Sequence, residues 1–346
     1  MPGRGAEPAR TVTNVALDRS LAVLVVAMGA TGLLSLRAGS TDLGWLFALH
    51  GIIGGALAVA VATKIRRSLP PALRRSSIRR LAIGLLVSGL VVGSIVAGFA
   101  WVAGGRIVSV GSWTLLTLHA WLGIVLVPIV VLHLSPRRWR LLRPGPHAIP
   151  RTAGRISRRS LLAGAALMAA GGAVAVTANL LDRLNGGDRR FTGSRLLPSG
   201  GVPPTTTFFG EPTPNVDAAA WRVSVDGLVA NRGGWSLVEL ESLGTTDMTA
   251  ILDCTSGWAI ETAWHGVPVG ALLAAAGVVP SARHVTIRSV TGWSASLPID
   301  DARACLLATG VAGQRLPAGN GGPLRLVAPD RRGLEWVKWV DRIEVA

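Results

Sequence analysis

The chain has 346 residues, 49% of them hydrophobic and 16% charged, and 35 Lys and Arg against 19 Asp and Glu give a net charge of +16. The excess is confined to one half: residues 1–187 carry 21 basic and 4 acidic residues, and residues 188–346 carry 14 and 15. The basic half is also the apolar half, so its arginines answer to a membrane, and a nucleic-acid partner is excluded.

Apolar stretches fall at about 20–36, 43–63, 81–103, 113–134 and 161–180, near the roughly 20 residues that a bilayer crossing needs. They predict a tail at 1–19, a four-helix transmembrane domain at 20–134, a basic loop at 135–160 and a fifth transmembrane helix at 161–181. Segments 64–80 and 135–160 hold seven and eight basic residues, whereas 37–42 and 104–112 hold one each. The positive-inside rule then puts the N-terminus and both basic loops in the cytoplasm. Five crossings make this a multi-pass protein of the cell membrane with its C-terminal half on the extracytoplasmic side.

A histidine inside a spanning helix is costly and points to function. His50 and His119 each lie about seven residues into their helices, at one depth near the outer face, with Gly54 and Gly123 one turn beyond. They read as ligands of one b-type haem, or as a polar pair bonded to neighbouring helices. His133 follows His119 by 14 residues, about 21 Å along the helix. A second haem there would need a histidine near position 64, where the chain has Lys64.

Residues 157–162 pair Arg158 with Arg159 ahead of an apolar run. This reads as a twin-arginine export signal or as two more positive-inside arginines, Leu161 standing where a Phe is usual. The 173–175 Ala-Val-Ala stretch suits a signal peptidase, while four upstream helices favour a retained anchor. Gly and Pro clusters without periodicity make 182–204 a linker. In 205–346, strand-like runs (221–225, 284–289, 324–327) accompany a helix-like one (267–275), an α+β pattern long enough for one core.

Cys254 sits in the run 251–258, and Cys305 is the other cysteine. A thiolate is a soft ligand for a transition metal. Downstream, Asn320 and Arg325 lie in 316–326 and Lys338 in 333–343. Arg and Lys can hold a phosphate, and Asn can hydrogen-bond a polar ring. The plainer alternatives are a buried Cys254 acting as a small hydrophobe, a disulfide with Cys305 in an exported domain, and loop roles for Asn320 and Arg325. Cys305 lies in a helix-like apolar run, 302–308, where an inert thiol is expected.

The order of these runs resembles the molybdopterin-binding domain of the sulfite oxidase family, especially the bacterial methionine sulfoxide reductase catalytic subunits, over 205–346. Cys254 precedes Trp258 by the family's spacing, and Trp264, Gly266 and Pro268 followed by Leu272 and Leu273 match its next landmark. The resemblance implies that Cys254 ligates molybdenum and that Asn320 and Arg325 contact the pterin and its phosphate. It further implies that Trp336, Val337 and Lys338 bind that phosphate and that Ser289 keeps the hydroxyl of a cofactor-binding Thr. Thr206 and Gly210 replace an Asn and an acid around Phe208 and Phe209, so contacts from that segment are not expected. The chain lacks the tyrosine of animal-type sulfite oxidases. It ends just past the Lys338 motif, where those enzymes continue into a dimerisation domain. The helical segment is loosely similar to membrane cytochromes b.

The expected fold is therefore an N-terminal all-α transmembrane bundle of four helices plus a fifth anchor helix, followed by an α+β sulfite oxidase-type domain. The expected cofactors are molybdenum–molybdopterin and one b-type haem. The expected activity is oxygen-atom transfer with a small-molecule or methionine-sulfoxide-type substrate, the haem exchanging electrons with the quinone pool or a cytoplasmic reductase. The alternatives are oxidation of sulfite or a similar oxyanion, and a haem electron carrier with a non-catalytic outer domain.

Overall fold

The computed structural model describes residues 7–75, 78–134, 158–206 and 211–346. Most of the basic loop 135–160, Ser157, the side chain of His133 and the Phe208–Phe209 pair lie outside the described residues. Two compact units result, Met1–Ser35 with Gly44–Asp188, and Leu36–Leu43 with Arg189–Ala346.

Among its described residues the first unit holds five long helices: α1 (Glu7–Ser35), α2 (Gly44–Arg75), α3 (Ile78–Ala103), α4 (Leu115–Leu134) and α5 (Arg158–Leu184). A short hairpin of β1 (Ser109–Val110) and β2 (Trp113–Thr114) joins α3 to α4. Their Ala, Leu, Val and Gly runs offer no polar side chains to compete for the backbone, so each segment satisfies its own amides as a helix. Four of them are long and apolar enough to cross a bilayer: Leu17–Ser35, Thr41–Arg74, Leu81–Ala103 and Arg158–Leu184, with Leu115–Val130 a shorter apolar stretch. Helix α4 as a whole has 20 residues, about 30 Å of helix.

The fifth helix belongs to the same unit as the other four. Helix α5 packs along α2, where a Cβ added at Gly171 would meet Ile52 O and Ala56 N, and one added at Gly55 would meet Gly171 O. Only glycine permits that approach, the small-residue contact by which apolar helices pack in a membrane. Leu24, Val25, Ile53, Ala56, Leu57 and Ala60 form the buried seam between α1 and α2. Lys64 of α2 pairs with Asp18 of α1 at 2.5 Å, so the lysine and the aspartate of these helices compensate one another.

The second unit is built on two sheets. In the first, the long strand β7 (Trp258–Pro268) pairs antiparallel with β6 (Thr246–Asp253) and β10 (Leu306–Val311), and parallel with β3 (Arg195–Leu196). Strands β11 (Gln314–Arg315) and β12 (Arg325–Val327) extend it from β10. The second sheet runs β5 (Gly233–Ser236), β4 (Arg222–Gly227), β13 (Val340–Val345), β8 (His284–Ser289) and β9 (Ser294–Pro298). Burial along the middle of β7 alternates, with Ile260, Thr262 and Trp264 inside and Glu261, Ala263 and His265 outward, the period of a half-buried strand. Helices α6 (Leu237–Glu241), α7 (Val269–Ala276) and α8 (Ile299–Arg303) link the strands. Ser236 caps α6 in a capping box with Glu239.

Two boundaries differ from expectation. Residues 189–204 are no linker: Arg195 and Leu196 add a strand to β7, and the Arg190, Thr192 and Ser194 side chains all bond Asp253. The run 302–308 is helical only as far as Arg303; Cys305 follows the helix and leads into β10. Leu306 and Leu307 pair there with β7 and β12, and these ladders outweigh the local helical pattern.

Candidate functional site

Cys254 stands at the head of the β6–β7 hairpin. Its amide donates to Trp258 O at 2.9 Å and its carbonyl accepts from the Gly257 amide at 3.0 Å. The four-residue spacing from Cys254 to Trp258 is thus the length of that turn. Gly333 approaches from behind, and a Cβ there would lie 3.2 Å from Cys254 Cα. The residue is half-buried, and the polar neighbours of its sulfur are Ser256 Oγ at 3.0 Å and Thr206 Oγ1 at 3.3 Å.

Behind the cysteine lies a buried charge cluster with no counterpart in the sequence reading. Asp253 is fully buried and accepts from Arg190 at 2.9 Å, Thr192 at 2.7 Å and Ser194 at 2.6 Å, with Arg332 Nε at 3.5 Å. Ser194 and Arg332 also reach Cys254 O, each at 3.4 Å. Burial pushes the Arg332 guanidinium down, opposed by Asp253 and then Cys254. The legible signal was an acid beside the cysteine, but its partners come from distant segments.

Arg325 and Lys338 meet across Gly321. That residue has φ 102°, and a Cβ on it would sit 3.0 Å from Arg325 Cβ and 3.0 Å from Lys338 Cβ. Arg325 is 2% exposed; its guanidinium donates to Asn320 O at 2.9 Å and Trp336 O at 3.4 Å. It lies 5.0 Å from the ring of Trp264 and 5.7 Å from that of Trp336. Its Nε has no hydrogen-bond partner among the described residues. Burial pushes Arg325 down to about 10, against the pull of Cys254. Lys338 Nζ donates to Thr206 O at 2.8 Å and Gly319 O at 2.7 Å. Burial and then Arg325 push it down to about 8, with Cys254 and Glu211 opposing. Two partly desolvated cations therefore share the field of one sulfur, and their hydrogen-bond acceptors are backbone carbonyls.

Asn320 is buried and directs Nδ2 to Pro203 O at 2.9 Å, while its Oδ1 accepts from Thr205 at 3.4 Å. The segment that the sequence reading set aside thus enters the site through Thr205 and Thr206. Trp336 packs edge-on against Trp264 at 5.5 Å and donates its indole N–H to Arg331 O. Val337 is buried, and its carbonyl accepts from the Leu326 amide at 2.7 Å. Ser289 makes local contacts, with Thr291 Oγ1 at 2.9 Å, and pairs in register with Val340, two residues past Lys338. Cys305 is a free thiol that donates to Asp301 O at 3.3 Å, pushed up to about 12 by burial. Cys254 is free as well, so the disulfide alternative finds no support.

In the helical unit His50 and His119 face one another, ring centroids 6.0 Å apart and planes at 87°. His119 Nδ1 lies 2.8 Å from Ser94 O, which only accepts, so that nitrogen carries the hydrogen. His50 Nδ1 lies 2.8 Å from Thr31 Oγ1, whose hydroxyl donates to Ala27 O at 2.8 Å and so accepts from the ring. Both imidazoles thereby keep Nε2 as the nitrogen with a free lone pair. Gly98 makes the room for His119, since a Cβ there would fall 2.9 Å from its Nδ1. The surface at Gly123 is open, whereas that at Gly54 is covered by Met28 at 3.5 Å from an added Cβ, which alters the expected pair of clear surfaces.

Residues 210–346 match the family model described as the oxidoreductase molybdopterin binding domain. The uncharacterised oxidoreductase YuiH of Bacillus subtilis is 31% identical over 157 residues, 42% of this chain and 79% of that protein. The protein-methionine-sulfoxide reductase catalytic subunit MsrP of Gluconobacter oxydans is 28% identical over 236 residues, 60% of this chain and 75% of that one. The putative protein-methionine-sulfoxide reductase subunit YedZ1 of Azospira oryzae is 30% identical over 145 residues, 41% of this chain and 55% of that one, so about half of its length is spanned. The chain belongs to the oxidoreductase molybdopterin-binding family of the sulfite oxidase type.

Proposed function

We propose that the chain is a membrane-anchored, extracytoplasmic oxidoreductase that performs oxygen-atom transfer on a methionine-sulfoxide-type substrate, with electrons passed through a haem between His50 and His119. The observation that carries the cofactor site is the pair of cations beside Cys254. Arg325 is 2% exposed yet bonds only neutral carbonyls, and among the described residues neither it nor Lys338 forms an ion pair with a carboxylate. A buried cation in that state calls for an anion. A soft thiolate at one end and two cations at the other fit a molybdenum–dithiolene cofactor with a phosphate tail.

In this reading Cys254 ligates the metal, while Arg325 and Lys338 hold the phosphate with the backbone of Trp336 and Val337. Asn320 bonds the pterin, and Ser289 offers its hydroxyl. Lys338 keeps a third N–H and Asn320 a second Nδ2 hydrogen beyond their bonds to Thr206, Gly319 and Pro203, and these are the donors offered to the cofactor. When bound, the cofactor supplies two-electron oxygen-atom transfer, and the protein's part is orientation and electrostatics. The Asp253 cluster holds the Cys254 carbonyl from two sides.

Support for the haem is the tautomer of both imidazoles, each with Nδ1 tied to a neighbouring helix and Nε2 left for a metal. The seven and eight basic residues of 64–80 and 135–160 support an extracytoplasmic second unit. The twin-arginine-like pair fits a domain loaded before export, and the fifth helix, packed on α2 through Gly171, fits a retained segment. The electron partner is then the quinone pool or a cytoplasmic reductase. The protein-methionine-sulfoxide reductase names of two relatives, MsrP of Gluconobacter oxydans and YedZ1 of Azospira oryzae, direct the substrate assignment to sulfoxides.

The deciding experiment is purification of the full chain in detergent with metal analysis and an optical spectrum. About one molybdenum per chain and a reduced b-type spectrum are expected. A folded chain from a molybdenum-replete host that contained haem and no molybdenum would overturn the assignment in favour of an electron carrier.

A further inference from the structure

Two hydroxyls converge on the sulfur of Cys254. Ser256 belongs to the same hairpin turn, and its Oγ is 3.0 Å away. Thr206 comes from a segment 48 residues earlier, and its Oγ1 is 3.3 Å away. Lys338 fixes Thr206 by donating to its carbonyl at 2.8 Å, and Asn320 holds the neighbouring Thr205 and Pro203. Neither distance requires a particular donor while the sulfur carries a hydrogen. A thiolate, however, can only accept, so once the sulfur is ionised both hydroxyls turn their hydrogens towards it.

Each such bond withdraws charge from the sulfur and weakens its donation to a bound metal, which favours the metal's lower oxidation states. We propose that Thr206 and Ser256 are positioning residues for the ligand sulfur, and that their two hydrogen bonds raise the reduction potential of the molybdenum bound by Cys254. This rests on the reading of Cys254 as the metal ligand. It assigns a task to Thr206, and it makes the potential depend on a contact between two chain segments. Lys338 then acts on both ends of the site, on the phosphate by charge and on the sulfur through the placement of Thr206.

The test uses the full-length, cofactor-loaded chain in detergent, with the molybdenum midpoint potential followed by the Mo(V) electron paramagnetic resonance signal. Thr206→Val and Ser256→Ala should each lower the midpoint, the double variant should lower it further, and Thr206→Ser should stay near wild type. The sulfur-to-molybdenum charge-transfer band gives a second readout and should move to longer wavelength in the same order, because an unbonded sulfur is the better donor. Cys254→Ser separates the two ideas. If that variant kept the wild-type band and Mo(V) signal, the ligand assignment itself would fall. If it lost both while Thr206→Val, Ser256→Ala and the double variant matched wild type in potential and band, or shifted upward, only the inference about the hydroxyls would fall.

Discussion

Arg325→Met should separate a cofactor ligand from a structural arginine by the sign of its effect. Burial lowers the Arg325 guanidinium from 12.5 to about 10, and at about 1.36 kcal/mol per unit that is roughly 3 kcal/mol of cost for keeping the charge in the cofactor-free fold. Methionine is a flexible, unbranched apolar replacement. It gives up the charge-assisted bonds to Asn320 O and Trp336 O, about 1.5 kcal/mol each. The two effects nearly cancel, so the cofactor-free variant should unfold within about 1 kcal/mol of wild type, where truncating a buried large residue ordinarily costs about 2–5 kcal/mol. Cofactor binding should instead lose a charge-assisted contact of about 1.5–3 kcal/mol, or about 10- to 150-fold in affinity. The assay compares thermal unfolding of protein made in a host lacking molybdopterin with the molybdenum content of protein made in a replete host. A cofactor-free variant destabilised by more than about 3 kcal/mol that still loaded fully would show that Arg325 serves the fold and not the cofactor.

Cys254→Ser should abolish turnover in a folded protein, whereas Cys305→Ser should change it little. In the cofactor-free chain a thiol reagent at pH 8 should label Cys254 ahead of Cys305, whose thiol burial pushes up to about 12. Equal damage from both substitutions, or a Cys254–Cys305 disulfide on mass mapping, would contradict this. Lys338 sits at about 8, below its ordinary 10.5, and only its charged form attracts an anion. Binding of sulfate, whose charge is constant over this range, to the cofactor-free chain should therefore be level below pH 8 and weaken by up to about tenfold per pH unit above it, and Lys338→Met should remove that dependence. Over the same window from about 8 to 10.5 the unfolded chain holds the extra proton, so the Lys338 contribution makes fold stability rise with pH. His50→Ala and His119→Ala should each lose a b-type haem spectrum; retention of the wild-type spectrum in either would remove that histidine as a ligand. A reporter active only outside the cytoplasm should work when fused at Ala346 or within 104–112 and fail at Leu73, and the reverse pattern would put the second unit in the cytoplasm.

The apolar helices, the Cys254-to-Trp258 spacing and the Asn320, Arg325 and Lys338 positions were legible in the sequence. Apolar runs of this length have few alternatives to a helix, and a hairpin turn carries its spacing in the chain itself. The start of the second unit was not legible. Its first residues lack periodicity, and their place is decided by a two-residue ladder with β7 and by side chains that meet Asp253 from 59 to 63 residues away. Cys305 was misplaced on a helix for a similar reason, because the pairing of β10 with β7 and β12 overrides local pattern.

The sequence by itself determined which half of this protein is apolar, which thiol stands four residues before a tryptophan, and which cations lie downstream of it. Tertiary structure alone decided that Thr206 touches the Cys254 sulfur, that Arg190, Thr192 and Ser194 converge on Asp253, and that Arg325 and Lys338 meet across Gly321. It also decided that Gly98, rather than a glycine on the histidine's own helix, makes the room for His119. Local identity sets what a side chain can do, since charge, softness and hydrogen-bonding capacity travel with the residue. Which groups meet depends on contacts closed across long stretches of chain, where the packing of two sheets or five helices selects the pairing and no periodicity in the sequence records it.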